Sequence, residues 1–305
     1  MKSAALLSAC ALWLVAGCTG FRATSSGVPY ALGPEDLSFA EALAHFTQGL
    51  LLEKEIGLNA DLTLQEYARA AELDPGEYQV YSRVALGWLY KGLPEKAIEA
   101  LEKACSHDPT NAQTRIDLAT ICHLSNRVEP AIVHYRKAIE LAPGRTFLYC
   151  ELSKLLFWKK EDKDALAVLK KAYKLADNRD SLLVFCYEQA RRILATGDIA
   201  RSIPCFQLVA DHAPAGKLTP TFYLQHGAAY ERSGRRRESE AIFLKCLELY
   251  PETHEVLNYL AYMWAEKGEN LDKALAFITK ALEHAPENGA YIDTLGWIYY
   301  RQARY

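Results

Sequence analysis

The sequence has 305 residues, half of them hydrophobic and 24% charged, with a formal net charge of −3. That balance fits a globular chain, and with a pI near 6.3 it carries no basic excess of the kind nucleic-acid binding needs. The densest basic run, Arg235-Arg236-Arg237, follows Gly234 and reads as a solvated turn.

The chain opens with Met1-Lys2 and a largely apolar run from Ala4 to Val15. Such a run is too short to cross a bilayer as a helix and suits a secretory signal. It ends in Val15-Ala16-Gly17-Cys18, which resembles the lipobox of bacterial lipoproteins. The resemblance implies that residues 1–17 are a signal peptide cut ahead of Cys18. The thiol and new amino group of Cys18 would then be acylated, with palmitate as an expected acyl group. Thr19 in place of Asp implies, for lipoproteins of Gram-negative type, the periplasmic face of the outer membrane. An ordinary signal peptide is the alternative. Residues 18–38 are rich in Gly, Ser, Thr and Pro and read as the lipidated cysteine and a flexible linker. A linker of that length would reach about 25 Å.

From residue 39 to 305 one unit repeats. It is clearest as Tyr81-x2-Val84-Ala85-x2-Trp88, a break at Gly92, then Ala97-x3-Leu101-x2-Ala104-x4-Pro109. Apolar residues three and four apart in each half predict two helices, with Gly92 between them and Pro109 ending the second. A small residue in the first helix recurs at Gly49, Ala85, Ala119, Ser153, Ala190, Gly227, Ala261 and Gly296, in steps of 34 to 37 residues. A second series runs through Ala70, Ala104, Ala138, Ala172, Val209, Cys246 and Ala281. Terminators recur as Pro75, Pro109, Pro143, Asp177, Pro214, Pro251 and Pro286. This pattern resembles the tetratricopeptide repeat (TPR). The resemblance implies an all-α fold: a right-handed superhelical solenoid of about eight helix–turn–helix repeats, the last one incomplete.

Departures from the pattern are local. Extra residues lie between the first two helices around Ile56 to Asp61. Repeat four lacks the turn glycine and the proline. The two 37-residue steps place insertions near Asn178 to Ser181 and Ala215 to Leu218. Pro204 sits deeper in its helix than the other prolines and predicts a kink. The final stretch leaves Leu295, Trp297, Ile298, Tyr299 and Tyr300 with nothing to cover them, which suggests either a longer natural chain or a partner at that end.

No phosphate loop, H-E-x-x-H or G-x-S-x-G motif is present, nor C-x-x-C. No residue set reads as catalytic or metal-binding, and no cofactor is expected. His123 and His134 lie on facing helices without a supporting carboxylate cluster. Of eight cysteines, Cys122, Cys186 and Cys246 occupy slots for buried apolar residues. Core thiols are therefore expected, with one inter-repeat disulfide as the alternative.

In the family that the repeats resemble, first helices line the concave side. One position off the packing stripe, this implies a protein-binding groove of Leu86, Leu89, Tyr90, Ile116, Phe147, Phe157, Trp158, Tyr187, Arg191, Leu194, Leu224 and Tyr262. Gln79, Ser82, Gln113, Thr120, Glu231 and Asn258 lie among them. These residues are mostly apolar or aromatic, which suits protein or peptide partners rather than a carboxylate clamp. The expected function is a membrane-anchored scaffold in cell-envelope assembly or secretion, and not an enzyme. Two alternatives stay open: a targeting arm for a catalytic domain beyond residue 305, and a structural homo-oligomer.

Overall fold

The computed structural model describes residues 33–214 and 216–303; the signal segment, Cys18 and most of the linker lie outside them, as do Ala215 and Tyr305. The described residues form fifteen helices and no strand. They divide into two compact units, the division falling between Leu148 and Tyr149.

The first unit contains α1 (Pro34–Ile56), α2 (Asp61–Leu73), α3 (Tyr78–Tyr90), α4 (Pro94–His107), α5 (Ala112–Leu124) and α6 (Val128–Leu141). The helix α7 (Thr146–Trp158) carries the boundary. The second unit continues with α8 (Asp162–Leu175), α9 (Arg179–Ala195), α10 (Ile199–His212), α11 (Pro220–Arg232), α12 (Arg236–Leu249), α13 (His254–Lys267), α14 (Leu271–His284) and α15 (Gly289–Arg301). Odd-numbered helices are the first of each hairpin and even-numbered ones the second. This is an all-α repeat solenoid: seven hairpins and the first helix of an eighth.

One expected boundary moves. The helix α1 starts at Pro34, not at residue 39, so residues 34–38 belong to it rather than to the linker. Proline at the first helical position needs no N–H there, and Asp36 Oδ2 accepts from the Gly33 N–H (2.9 Å). The helix α10 runs continuously through Pro204.

The small residues define the hairpin contact. Ala85, Ala119, Ser153, Ala190 and Ala261 are at most 1% exposed, as are the facing Tyr67, Leu101, Phe206, Phe243 and Ile278 of the second helices. A Cβ on Gly49 would lie 2.6 Å from the Tyr67 ring, and one on Gly227 2.3 Å from that of Phe243. Successive hairpins approach as closely. A Cβ on Gly87 in α3 would stand 2.4 Å from Leu64 Cδ2 in α2 and 2.9 Å from the Leu58 carbonyl oxygen. Gly296 in α15 has open space where the other repeats place a second helix.

The hairpin turn follows the same register. Seven residues after the small residue, the backbone turns left-handed at Gly92, Asn126, Lys160, Gly197, Gly234, Gly268 and Ala303. In repeat four, where glycine is missing, Lys160 takes φ 64°. The turn still closes, because the Glu161 N–H donates to the Leu156 carbonyl (2.9 Å), as Leu93 does to Trp88 and Arg235 to Tyr230. Arg201 binds hairpins four and five together within the second unit. Its guanidinium donates twice to Asp162, both at 2.7 Å, and once to the Phe157 carbonyl at 2.9 Å.

All six described cysteines are free thiols, five of them buried. Burial pushes their thiols up, Cys205 to about 12 and the half-buried Cys150 to about 11. Such groups stay protonated and pack as small apolar side chains.

Candidate binding surface

In the first unit, α1 and α3 carry several exposed apolar side chains, besides Leu62 of α2, Leu124 of α5 and Val133 of α6. Leu86 and Tyr90 are exposed, Tyr90 by 66%, while Leu89 is half-buried and Phe147 is exposed at the start of α7. Phe39, Leu43 and Leu50, which recur on one face of α1, extend this set. The sequence assignment missed them because it began the first repeat at Phe39 and drew lining positions only from later hairpins. Phe39, Leu43 and Phe46 share a cleft of about 170 Å³ with Gln79 and Val80 of α3.

Polar contacts join α3 to α5. Asp117 accepts from Ser82 Oγ (3.1 Å) and from Gln113 Nε2 (2.9 Å), and Arg145 donates to Gln113 Oε1 (2.8 Å). Burial pushes the Asp117 carboxyl above the usual carboxylate range despite these donors. Ile116 does not contribute to the surface. It is 5% exposed and fills the core.

In the second unit, Trp158 is 68% exposed at the end of α7. Its neighbour Phe157 is 6% exposed and belongs to the packing, so it too leaves the expected lining. On α9, Tyr187 and Leu194 are half-buried and Arg191 is exposed. The Arg191 guanidinium lies 5.8 Å from the centre of the Tyr187 ring and pairs with Glu188 (3.1 Å). Tyr187 Oη donates to Gln225 Oε1 of α11 (2.9 Å). Leu224 on α11 is half-buried; Tyr262 on α13 is exposed and its hydroxyl donates to Glu266 (3.2 Å). Val184, 62% exposed beside Tyr187, is a surface residue that the sequence reading did not select.

Among the described residues no group of three His, Cys, Asp or Glu side chains could hold a metal ion, and several exposed acids and bases pair with each other along helix surfaces. What the first helices offer is a bonded polar framework with bulky apolar side chains projecting from it.

The tetratricopeptide repeat family matches residues 112–145, which span the hairpin α5–α6, and residues 224–289, from α11 to the start of α15. Both matches keep the register of small residues and left-handed turns set out above. These are tetratricopeptide repeats. No curated protein matches the chain as a whole. Among solved structures, the chain is similar to the PilF protein of Pseudomonas aeruginosa at 19% identity, over 75% of this chain and 99% of that one, with a TM-score of 0.42. It is similar to a TPR protein of Parabacteroides merdae at 13% identity, over 85% and 98%, with a TM-score of 0.46. It is also similar to YrrB, described as a TPR protein with an unusual peptide-binding site, at 20% identity over 64% and 97%, with a TM-score of 0.37.

Proposed function

We propose that this TPR chain is a non-catalytic scaffold that captures polypeptide segments on the faces of its first helices. The observation that carries the reading is the recurrence of exposed bulky side chains there: Leu86 and Tyr90 in α3, Phe147 and Trp158 in α7, Tyr262 in α13. Exposed aromatic surface adds nothing to folding stability in water, while aromatic anchors dominate the energetics of protein recognition. Repeat arrays also suit contact with extended partners, since each hairpin adds surface without a new core.

The finer reading places the scaffold in the cell envelope, working in assembly or secretion, and held at the outer membrane by acyl chains on Cys18. The sequence Val15-Ala16-Gly17-Cys18 behind an apolar run supports it. No helix among the described residues is long and apolar enough to cross a membrane. In this reading attachment rests on the lipid, and several acyl chains on one residue hold where a single chain is marginal.

The test is selection of random linear peptides on the purified full chain. Enriched peptides should be rich in Leu, Phe and Trp. Leu86→Ala with Tyr90→Ala, or Trp158→Ala alone, should weaken them by at least about tenfold. Helical circular dichroism should be unchanged, because these side chains are exposed. Failure to enrich any peptide, or full affinity in both variants, contradicts the proposal.

A further inference from the structure

The two longest repeat steps meet at one place. The steps from Ser153 to Ala190 and from Ala190 to Gly227 are each 37 residues, against 34 for the regular repeats. The extra length falls in α9 itself, which has 17 residues against 13 in α3 and so makes residues 179–181 helical rather than a loop, and in the loop between α10 and α11. Lys217 of that loop pairs with Asp180 of α9 at 2.5 Å. The loop is also held from the next hairpin, where Tyr250 Oη donates to the Leu218 carbonyl at 2.7 Å. Between the two insertions lies a cavity of about 270 Å³ that opens beside α9 and α11. Its inner walls are Leu183, Val209 and Phe222, each at most 6% exposed, and Val184 stands at its mouth.

The polar side chains that line this cavity each have a partner. Asp180 and Lys217 bind each other. Thr219 Oγ1 caps α11 by accepting from the Phe222 N–H at 3.3 Å, and the Tyr187 hydroxyl is bonded to Gln225. The one charged pair at the rim has no net charge. The cavity therefore calls for neither an ion nor a hydrogen-bonding group, and an uncharged apolar group complements it. Its size exceeds the ~150 Å³ of an engineered apolar cavity that admits benzene, so a phenylalanine or leucine side chain fits. Along the same face of α9, Val184 is followed by Glu188 and Arg191, four and seven residues on. Their mutual ion pair is half-exposed on both sides, and such surface pairs are weak enough to rearrange. They give the polar backbone flanking an inserted side chain something to bond, which an acyl chain would leave unused.

We propose that this cavity is a specificity pocket for one bulky apolar side chain, phenylalanine or leucine, of a bound polypeptide. The proposal rests on the reading of the first-helix faces as a peptide-binding surface and assigns the residue type that one part of it selects.

The probe is N-acetylphenylalanine amide, added to the full chain labelled at its Leu and Val methyl groups and followed by NMR. Signals of Leu183, Val184, Val209 and Leu218 should move together, with a dissociation constant on the order of 1 mM, as expected for a ligand of this size. N-acetylglutamate amide should leave them unmoved, and octanoate, representing a lipid source, should bind at least about tenfold more weakly. Val184→Trp, which fills the mouth from an exposed position, should abolish the shifts while distant methyl signals stay in place; Val184→Lys should do the same. Absent shifts, equal binding of octanoate, or unaltered binding in both variants would overturn the pocket. Peptide selection on the chain without these shifts removes the pocket alone, whereas shifts without any peptide selection remove the broader reading.

Discussion

Replacing Gly227 with alanine should lower the stability of the second unit by about 2 kcal/mol. The added Cβ would stand 2.3 Å from Phe243 Cε1 and 2.7 Å from Cδ1 and Cζ, all inside contact distance. The ring cannot swing away, since it is fully buried and packs at 5.2 Å against Tyr259. Two effects oppose each other here. Alanine favours the helix over glycine by about 1 kcal/mol, but overpacking a filled core typically costs about 1–3 kcal/mol and can exceed that. With three ring atoms inside 3 Å the second effect wins. Phe243→Leu should relieve the clash and recreate a pairing of the kind seen at Ala85 and Leu101, with a coupling of at least about 1 kcal/mol in a double-mutant cycle. Ala119 and Ala190 tolerate aromatic Tyr135 and Phe206 opposite them, so the clash at Gly227 reflects how closely α11 and α12 approach. Denaturant unfolding of the two single variants and the double variant checks this. A neutral Gly227→Ala would show that the approach is looser.

The second large effect concerns His226. The equivalent position holds Val84, Leu118, Leu152 and Leu260 in other repeats. His226 is fully buried, stacked on Phe206 and edge-on to Phe222, and neither ring nitrogen has a hydrogen-bond partner. Burial holds its pKa down to about 4, with Arg235 and Lys245 adding to the effect and Asp211 opposing it. The unfolded chain takes up the proton near pH 6.5, so between pH 6.5 and pH 4 it binds more protons than the folded chain. Stability is therefore full above pH 6.5 and is lost as pH falls towards 4, by up to ~3 kcal/mol. His226→Leu should remove that loss. It should also stabilise the chain at pH 7 by roughly 1–3 kcal/mol, because two buried unsatisfied nitrogens disappear. Thermal unfolding at pH 7 and pH 5 checks both parts, and a His226→Leu variant as acid-sensitive as the parent would contradict the assignment.

The hairpins were legible because their signal is local and repeated. Small residues such as Ala85 and Ala119, the left-handed turns at Gly92 and Gly234, and the prolines closing second helices each act within one hairpin. Lys160 was not legible as a turn residue, since backbone bonds from Lys160 to Phe157 and from Glu161 to Leu156, rather than its residue type, hold it left-handed. The surface was legible in part. Tyr90, Phe147 and Trp158 are exposed, whereas Ile116 and Phe157 are buried. Helical periodicity states which face a side chain occupies, not how far the next hairpin covers it. The cavity beside Val184 lay further from view still. Its insertions could be counted from the sequence, but their meeting through Asp180 and Lys217 could not.

Photo-crosslinking with a selected peptide gives the most direct measurement of where recognition occurs. A photoreactive phenylalanine derivative would replace Tyr90 or Trp158 on first helices, and Val133 or Leu249 on second helices, all four sites being exposed in the structure. Adducts from the first-helix positions, with at most background from Val133 and Leu249, are expected. Adducts from the second-helix positions instead would mean that partners are held on the opposite face and that the account is wrong.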